Sequence, residues 1–315
     1  MRILLTGARG FIGSHLRARL IAAGHEVIGT TRPPMASAES DGCLVLDPAK
    51  VPERLLEGFD ALVHTADPTP ARVGREPGRT WEDGVLLSKN LALAVSKSPV
   101  RTVIHLSSVA ALGGPDTLSR AALDDTLVAT PESDYGRHKA RCEELFRALA
   151  TPDRLIVTLR PPLVYGPGAG GAWAQLLGLV RSALPLPFAS VNNRRSFLGV
   201  DNLGDLVVAI LAHHGQGNRS GSYLAADREV VSLREICTAL RQSLGKHPGL
   251  LPFPPALLAA ALRCLGKKEA AAGLFGDLVI DASRVEAVFS SPPSLATLAG
   301  MARSLTNPPS PDPTR

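Results

Sequence analysis

The chain opens with an apolar run, RILLT (residues 2–6), with the length and character of a strand buried on both faces. GARGFIG follows at once, and SHLRARLIAAG then reads as a helix ending at Gly24. HEVIGT is a second strand, which completes a strand–helix–strand unit of about 30 residues. CLVLD (ending at Asp47), DALVHTA and RTVIHLSS are three further strands. Helical segments lie between them, WEDGVLLSKNLALAVSKS among them. Strands alternating with helices predict an α/β fold with a doubly wound parallel sheet. The sheet domain is expected over residues 1–160, with a return near 196–220 where RSFLGVDNLGDLVVAILAHH reads as strand then helix. A smaller C-terminal α/β substrate-binding lobe is expected from 161–195 and 221–305. The proline-rich TNPPSPDPTR reads as a disordered tail over 306–315.

The turn after the first strand carries the first candidate chemistry. Gly7, Gly10 and Gly13 are spaced G-x-x-G-x-x-G, directly after a strand and opening a helix. Gly7 suits the tight turn, Gly10 the approach of backbone to a pyrophosphate, and Gly13 the close packing of helix on strand. Free N–H groups at the helix start then face the phosphates. This pattern predicts a Rossmann dinucleotide site, with Arg9, Phe11 and Ile12 inside the same turn. An acid at the end of the second strand would bind the adenosine ribose hydroxyl. Thr30, Thr31 and Arg32 stand there instead, and a hydroxyl with a guanidinium suits a 2′-phosphate. NADP is therefore expected, with NAD as the alternative. Asp47 ends the third strand, where it could contact adenine, and Ser107 and Ser108 end the fifth, where ligands of such sheets bind.

Composition narrows the classes. The 315 residues are 45% hydrophobic and 20% charged, with a net charge of +5. That balance favours an anionic small partner or a membrane surface. No Lys/Arg run and only 4% aromatic residues argue against nucleic-acid binding. Cys43, Cys142, Cys237 and Cys264 are scattered, which suggests neither a disulfide framework nor a zinc site and fits a reducing cytoplasm. The eight histidines show no metal-ligand spacing, so no metal is expected. The start of the chain shows no signal-peptide pattern. The apolar stretch LLPFPPALLAAALRCLG is too short and too proline-broken to span a bilayer.

In SDYGRHKA, Tyr135 precedes Lys139 by four residues, which puts the two on one face of a helix. Alone, that spacing is common. Together with TGARGFIGSHL, DALVHTA, HLSSVAALG, LRPPLVYGPG and NNRRSFLGVDNL, in order, it makes the chain resemble the extended short-chain dehydrogenase/reductase family, in its nucleotide-sugar epimerase/dehydratase branch. The later stretches are similar to bacterial enzymes of surface-polysaccharide synthesis, UDP-glucose 4-epimerase-like proteins or 4-ketoreductases that make UDP-N-acetylquinovosamine.

The resemblance implies roles. Tyr135 would be the general acid/base and Lys139 its partner, since an ammonium one turn away favours the phenolate of a group that otherwise titrates near ~10. Lys139 would also bind the nicotinamide ribose. Ser108 would hold the reacting C4 oxygen, while Ser107 reads as a strand-end hydroxyl bonded to local backbone. Arg195 would grip the substrate diphosphate, with Arg194 as substitute, and Tyr165 to Gly168 would turn into the substrate loop. His64 and Ala66 would lie along the cofactor, His64 as a structural residue. Four residues depart from the family: Leu163 for an asparagine, Asp83 or Gly84 for another, Asp67 for a small residue and Leu112 for a tyrosine. The expected activity is a C4 oxidoreductase of a UDP-sugar, foremost a 4-ketoreductase, with a UDP-hexose 4-epimerase as alternative. A reductase of lipophilic or aromatic carbonyls and a non-catalytic NADP sensor are the other classes. The resemblance further implies a homodimer formed by helices near 84–97 and 134–149.

Overall fold

The computed structural model describes residues 1–32, 43–70, 73, 80–119 and 122–305; the expected tail at 306–315 lies outside them. The first half runs β1 (Arg2–Thr6), α1 (Phe11–Ala22), β2 (Glu26–Thr31), β3 (Cys43–Val45), β4 (Ala61–His64), α2 (Trp81–Ser96), β5 (Thr102–Leu106), α3 (Pro115–Leu118), α4 (Asp134–Arg147) and β6 (Leu155–Arg160). It continues as β7 (Val164–Tyr165), α5 (Gly171–Arg181), β8 (Leu198–Gly199), α6 (Val200–Leu211) and β9 (Gly221–Leu224). Five helices close the described chain after β9: α7 (Leu233–Ser243), α8 (Pro255–Cys264), α9 (Lys268–Phe275), α10 (Ser283–Phe289) and α11 (Thr297–Arg303).

Seven strands form one sheet in the order β3-β2-β1-β4-β5-β6-β9, every neighbouring pair parallel. Every residue of β4, β5 and β6 is buried, as a sheet covered on both faces requires. Alternation along the strands divides the core. Ile3 and Leu5 pack with Leu16 and Leu20 of α1 and Leu203 and Ile210 of α6. Leu4, Leu62 and Val103 pack on the opposite face with Leu87 and Leu91 of α2 and Phe146 of α4. A separate cluster, including Trp173, Val180, Ile236, Leu240 and Met301, fills the region of α5, α7 and α11.

Two details differ from the sequence reading. The strand expected just before α6 is the short β8, which pairs with β7 in its own two-stranded sheet. The large sheet instead recruits β9 alongside β6, directly after the expected return ends at 220. Among the described residues no helix is long and apolar enough to cross a membrane.

The chain moves outward from β1 through β2 to β3, then crosses to β4 on the other side of β1. That reversal opens a crevice beyond the carboxyl ends of β1 and β4, the place where such sheets bind ligands.

Candidate active site

The glycine turn lies at one side of this crevice. Gly7 has φ +71°, a left-handed conformation that disfavours a side chain. A Cβ on Gly13 would stand 2.1 Å from the Gly7 carbonyl oxygen, so only glycine lets α1 start this close to the end of β1. Gly10 caps α1 without a side-chain hydrogen bond, and no acidic residue sits in the first turn. A helix start with no side-chain cap and no acid in its first turn suits an anion. This cradle fits the pyrophosphate of a dinucleotide.

The other residues expected to contact a cofactor lie at or beyond the ends of neighbouring strands. Ala66, across the turn, lies 3.0 Å from where a Gly7 Cβ would be. Thr31 ends β2, and Arg32 follows it directly. Asp47 lies beyond β3, where its Oδ1 accepts the Ala49 N–H at 2.9 Å. Phe11 packs against the apolar cluster of the lobe and Ile12 against that of the sheet, so the turn joins the two cores.

Register explains the histidines. Thr6 pairs with His64 across β1 and β4, and His64 with His105 across β4 and β5. His64 Nδ1 lies 2.7 Å from Thr6 Oγ1 and its Nε2 3.1 Å from Ser88 Oγ, so the ring is a fully bonded core group. Burial foremost pushes its titration down to about 3, against the opposing charge of Asp67. His105 stacks on it at 5.6 Å between ring centroids, and burial likewise lowers its titration.

Ser133 caps α4 by accepting the Gly136 N–H at 3.0 Å, which puts Tyr135 in the first turn and Lys139 in the second. A Cβ on Gly136 would stand 2.2 Å from the Ala110 carbonyl oxygen. That bare contact seats the first turn of α4 on the segment just after Ser107 and Ser108. Gly84 does the same between helices: its Cβ would meet His138 Cε1 at 2.5 Å and Pro68 at 2.6 Å. The asparagine expected from the family has no room there. Tyr135 is half-buried and lies against Trp81 at 5.6 Å between centroids. Lys139 is buried, its Nζ 6.0 Å from the centroid of the Tyr135 ring.

Ser108 is half-exposed and accepts the Ala110 N–H at 3.2 Å. Ser107 is buried, but its partner is not local backbone as expected. Its hydroxyl donates to Glu143 Oε1 at 2.5 Å, and Arg160 holds the same carboxylate through Nη2 at 2.6 Å. The two serines therefore face different surroundings.

Arg195 is the clearest departure in placement. Its Nη1 donates to the carbonyls of Ala272 and Gly276 at 3.1 and 2.8 Å, at the carboxyl end of α9. Burial lowers its titration, with Asp277 opposing. Arg194 is exposed, and its backbone N–H donates to Asp277 at 2.7 Å.

Lys139 has a partner that the spacing of its own helix does not reveal. Its Nζ donates to Asp67 Oδ2 at 2.5 Å and to the Leu106 carbonyl at 2.6 Å. His138 Nε2 lies 2.8 Å from Asp67 Oδ1. Burial would lower the lysine's titration, but the charge of Asp67 and then that of Tyr135 outweigh it and push it up to about 12. Asp67 is held well below the usual carboxylate range: burial opposes this, and Lys139 is the first of the groups that overcome it. The sets His64, Asp67, His105 and Asp67, His138, Cys142 each bring ligand atoms within 4.8 Å of one another, a gathering the sequence spacing did not show. The Lys139 ammonium already fills the cation's place beside their shared carboxylate. A surface cleft lined by His15, Arg19, Asp205 and Arg303 contains none of these groups.

A doubly wound sheet with a glycine turn on its first strand and a Tyr-x-x-x-Lys helix beside its fifth is the framework of the extended short-chain dehydrogenases/reductases. The chain belongs to the NAD dependent epimerase/dehydratase family, whose family model matches residues 3–226, and it is an enzyme of that kind. It is 30% identical over 300 residues to a UDP-glucose 4-epimerase of Vibrio cholerae, across 90% of this chain and 88% of that one. Its fold is similar to UDP-glucuronic acid 4-epimerase from Bacillus cereus in complex with NAD (TM-score 0.73, 21% identity, 98% and 96% of the two chains). It is equally similar to human epimerase family protein SDR39U1 with NADPH (TM-score 0.74, 22% identity, 98% and 100%).

Proposed function

We propose that the protein is an NAD(P)-dependent oxidoreductase acting at C4 of a UDP-hexose, and that its net reaction is reduction of a UDP-4-keto-6-deoxy-N-acetylhexosamine in surface-polysaccharide synthesis. The observation that carries the reading is the juxtaposition of Tyr135, Lys139 and the Ser108 loop, made by the Gly136–Ala110 contact at the carboxyl end of β5.

In this reading Gly7, Gly10, Gly13 and the start of α1 bind the pyrophosphate. Arg9, Phe11, Ile12, His64 and Ala66 line the cofactor, and Asp47 meets the adenine. Thr31 and Arg32 take a 2′-phosphate, so NADPH is preferred to NADH. The bound nicotinamide supplies the hydride. Ser108 holds the C4 oxygen, Tyr135 gives it a proton, and Lys139 holds the nicotinamide ribose and steadies the phenolate left behind. Arg195 or Arg194 meets the diphosphate. Two copies pair through α2 and α4, where Leu86 and Leu93 are exposed one face apart from the core.

Net reduction is preferred to epimerisation because Thr31 and Arg32 suit an exchangeable NADPH, and because Leu163 removes a substrate contact that would hold the nucleotide while the sugar turns over. Stoichiometry tests it. The protein is purified without added cofactor and supplied with UDP-glucose or UDP-N-acetylglucosamine, and the C4 epimer is sought by NMR. Separately, the 4-keto-6-deoxy sugar is supplied with NADPH or NADH and absorbance is followed. Oxidation of NADPH by the keto-sugar is expected. Catalytic epimer formation without added cofactor, and no NADPH oxidation, would leave the epimerase reading in its place. The α9 carbonyls that hold Arg195 favour a second reading, reduction of a lipophilic carbonyl that carries no diphosphate. A thermal shift with UDP alone supports the first reading and its absence the second.

A further inference from the structure

After His64 the chain leaves the sheet through Thr65, Ala66 and Asp67, and in place of the small residue of the family a carboxylate turns inward. Its side chain is only 6% exposed. A buried charge is costly unless it is paired and hydrogen-bonded. Here Lys139 Nζ and His138 Nε2 supply both, at 2.5 and 2.8 Å, on separate oxygens. Leu106 O takes a second proton of the ammonium at 2.6 Å. Two fixed acceptors on two different strand ends therefore determine where the ammonium stands relative to Tyr135.

Among the described residues no other carboxylate bonds to the Lys139 ammonium. From β4 and β5, His64 and His105 are kept neutral by burial. From α4, Cys142 is kept a thiol, pushed up to about 12, and the His138 ring bonds to Asp67 itself. Glu143 is matched by Arg160 at 2.6 Å, Asp83 of α2 bonds to Thr80 and Asp134 of α4 pairs with Arg137. Asp67 is thus the anion that the Lys139 ammonium answers to.

We propose that Asp67 is a positioning residue of the Tyr135–Lys139 pair: it anchors the ammonium at the end of β5 and offsets part of its field at the phenol, so that the pair keeps its proton at neutral pH and the site is set to donate one. The inference rests on the proposed roles of Tyr135 and Lys139, and it favours the direction of carbonyl reduction. The sign follows from electrostatics. Removing a negative charge beside two coupled groups makes their first proton easier to lose, whichever of the two gives it up.

The first measurement needs neither substrate nor cofactor. The chain has three tyrosines. In an ultraviolet absorbance titration, the tyrosinate step that Tyr135→Phe removes is the step of Tyr135. Asp67→Asn should move the step to lower pH by about one unit or more. The pH profile of carbonyl reduction should move the same way, while KM for substrate changes little. An unchanged or raised midpoint in folded Asp67→Asn overturns the proposal. Should that variant not fold, Asp67→Glu decides. It keeps the charge and displaces the anchor, so kcat should fall about tenfold or more with the midpoint nearly unchanged; wild-type kcat overturns the positioning role. A titration that shifts as expected in a protein that turns over no UDP-sugar upholds Asp67 and refutes the substrate reading. Turnover without a shift does the reverse.

Discussion

Tyr135 and Lys139 stand one turn apart because Ser133 starts the helix where it does, and that much is local to eight residues of sequence. Tyr135→Phe tests the role drawn from it. The ring keeps its packing on Trp81 and loses only the hydroxyl. kcat should fall by about 10²–10⁴, the usual worth of a general acid/base, while the thermal melt and cofactor affinity stay near wild type. A variant with most of its kcat would remove Tyr135 from the chemistry. The two adjacent serines were harder to read, since both end the same strand. Alternation alone places them on opposite sides, and only the Glu143–Arg160 pair shows which side Ser107 takes. Asp67 precedes Lys139 by 72 residues, and only an acid at the end of an apolar strand hinted at it.

The start of α1 shows how a close contact overrides helix preference. Alanine in a helix is favoured over glycine by about 1 kcal/mol. At Gly13, however, an added methyl would stand 2.1 Å from a backbone oxygen that no side-chain rotation can move away. Gly13→Ala should therefore destabilise the fold by about 1–3 kcal/mol, the range for overpacking, and weaken cofactor binding about tenfold or more by shifting the turn. Thermal melts and a cofactor titration check both, and a more stable variant would contradict the packing described. The strands β1, β4 and β5 were legible to within a residue or two because they are apolar on both faces. β9, with Gly221 and Ser222 at its start, carries no such run. It is a strand because β6 offers it an edge to pair with.

The buried histidines tie stability to pH. An unfolded imidazole takes up a proton near 6.5, whereas His64 in the folded core does so only at about 3. Between those values the unfolded chain binds more protons, so stability falls as the pH falls, by up to about 1.4 kcal/mol per pH unit for this residue. Burial moves His105 in the same direction. Asp67, held low in the fold, adds a further loss only below the ordinary carboxylate range. Urea unfolding at neutral and mildly acidic pH should therefore show a declining midpoint well before carboxylates protonate, and His64→Gln should flatten the decline. Equal stability across that range would mean that His64 is not held neutral in the core.

Periodicity, turn chemistry and the spacing of residues on one helix act between near neighbours in the chain, so the sequence alone determined the strand–turn–helix cradle, the Tyr135–Lys139 face and the family. The partners of those groups were decided by tertiary structure. Parallel pairing in the order β1-β4-β5 sets Thr6, His64 and His105 side by side. Bare contacts at Gly84 and Gly136 draw α2 and the Ser108 loop onto α4. Arg195 meets the carbonyls of Ala272 and Gly276 at the end of α9. Each of these joins residues far apart in the chain, and which distant residues meet depends on strand order and close approach, which no local pattern encodes.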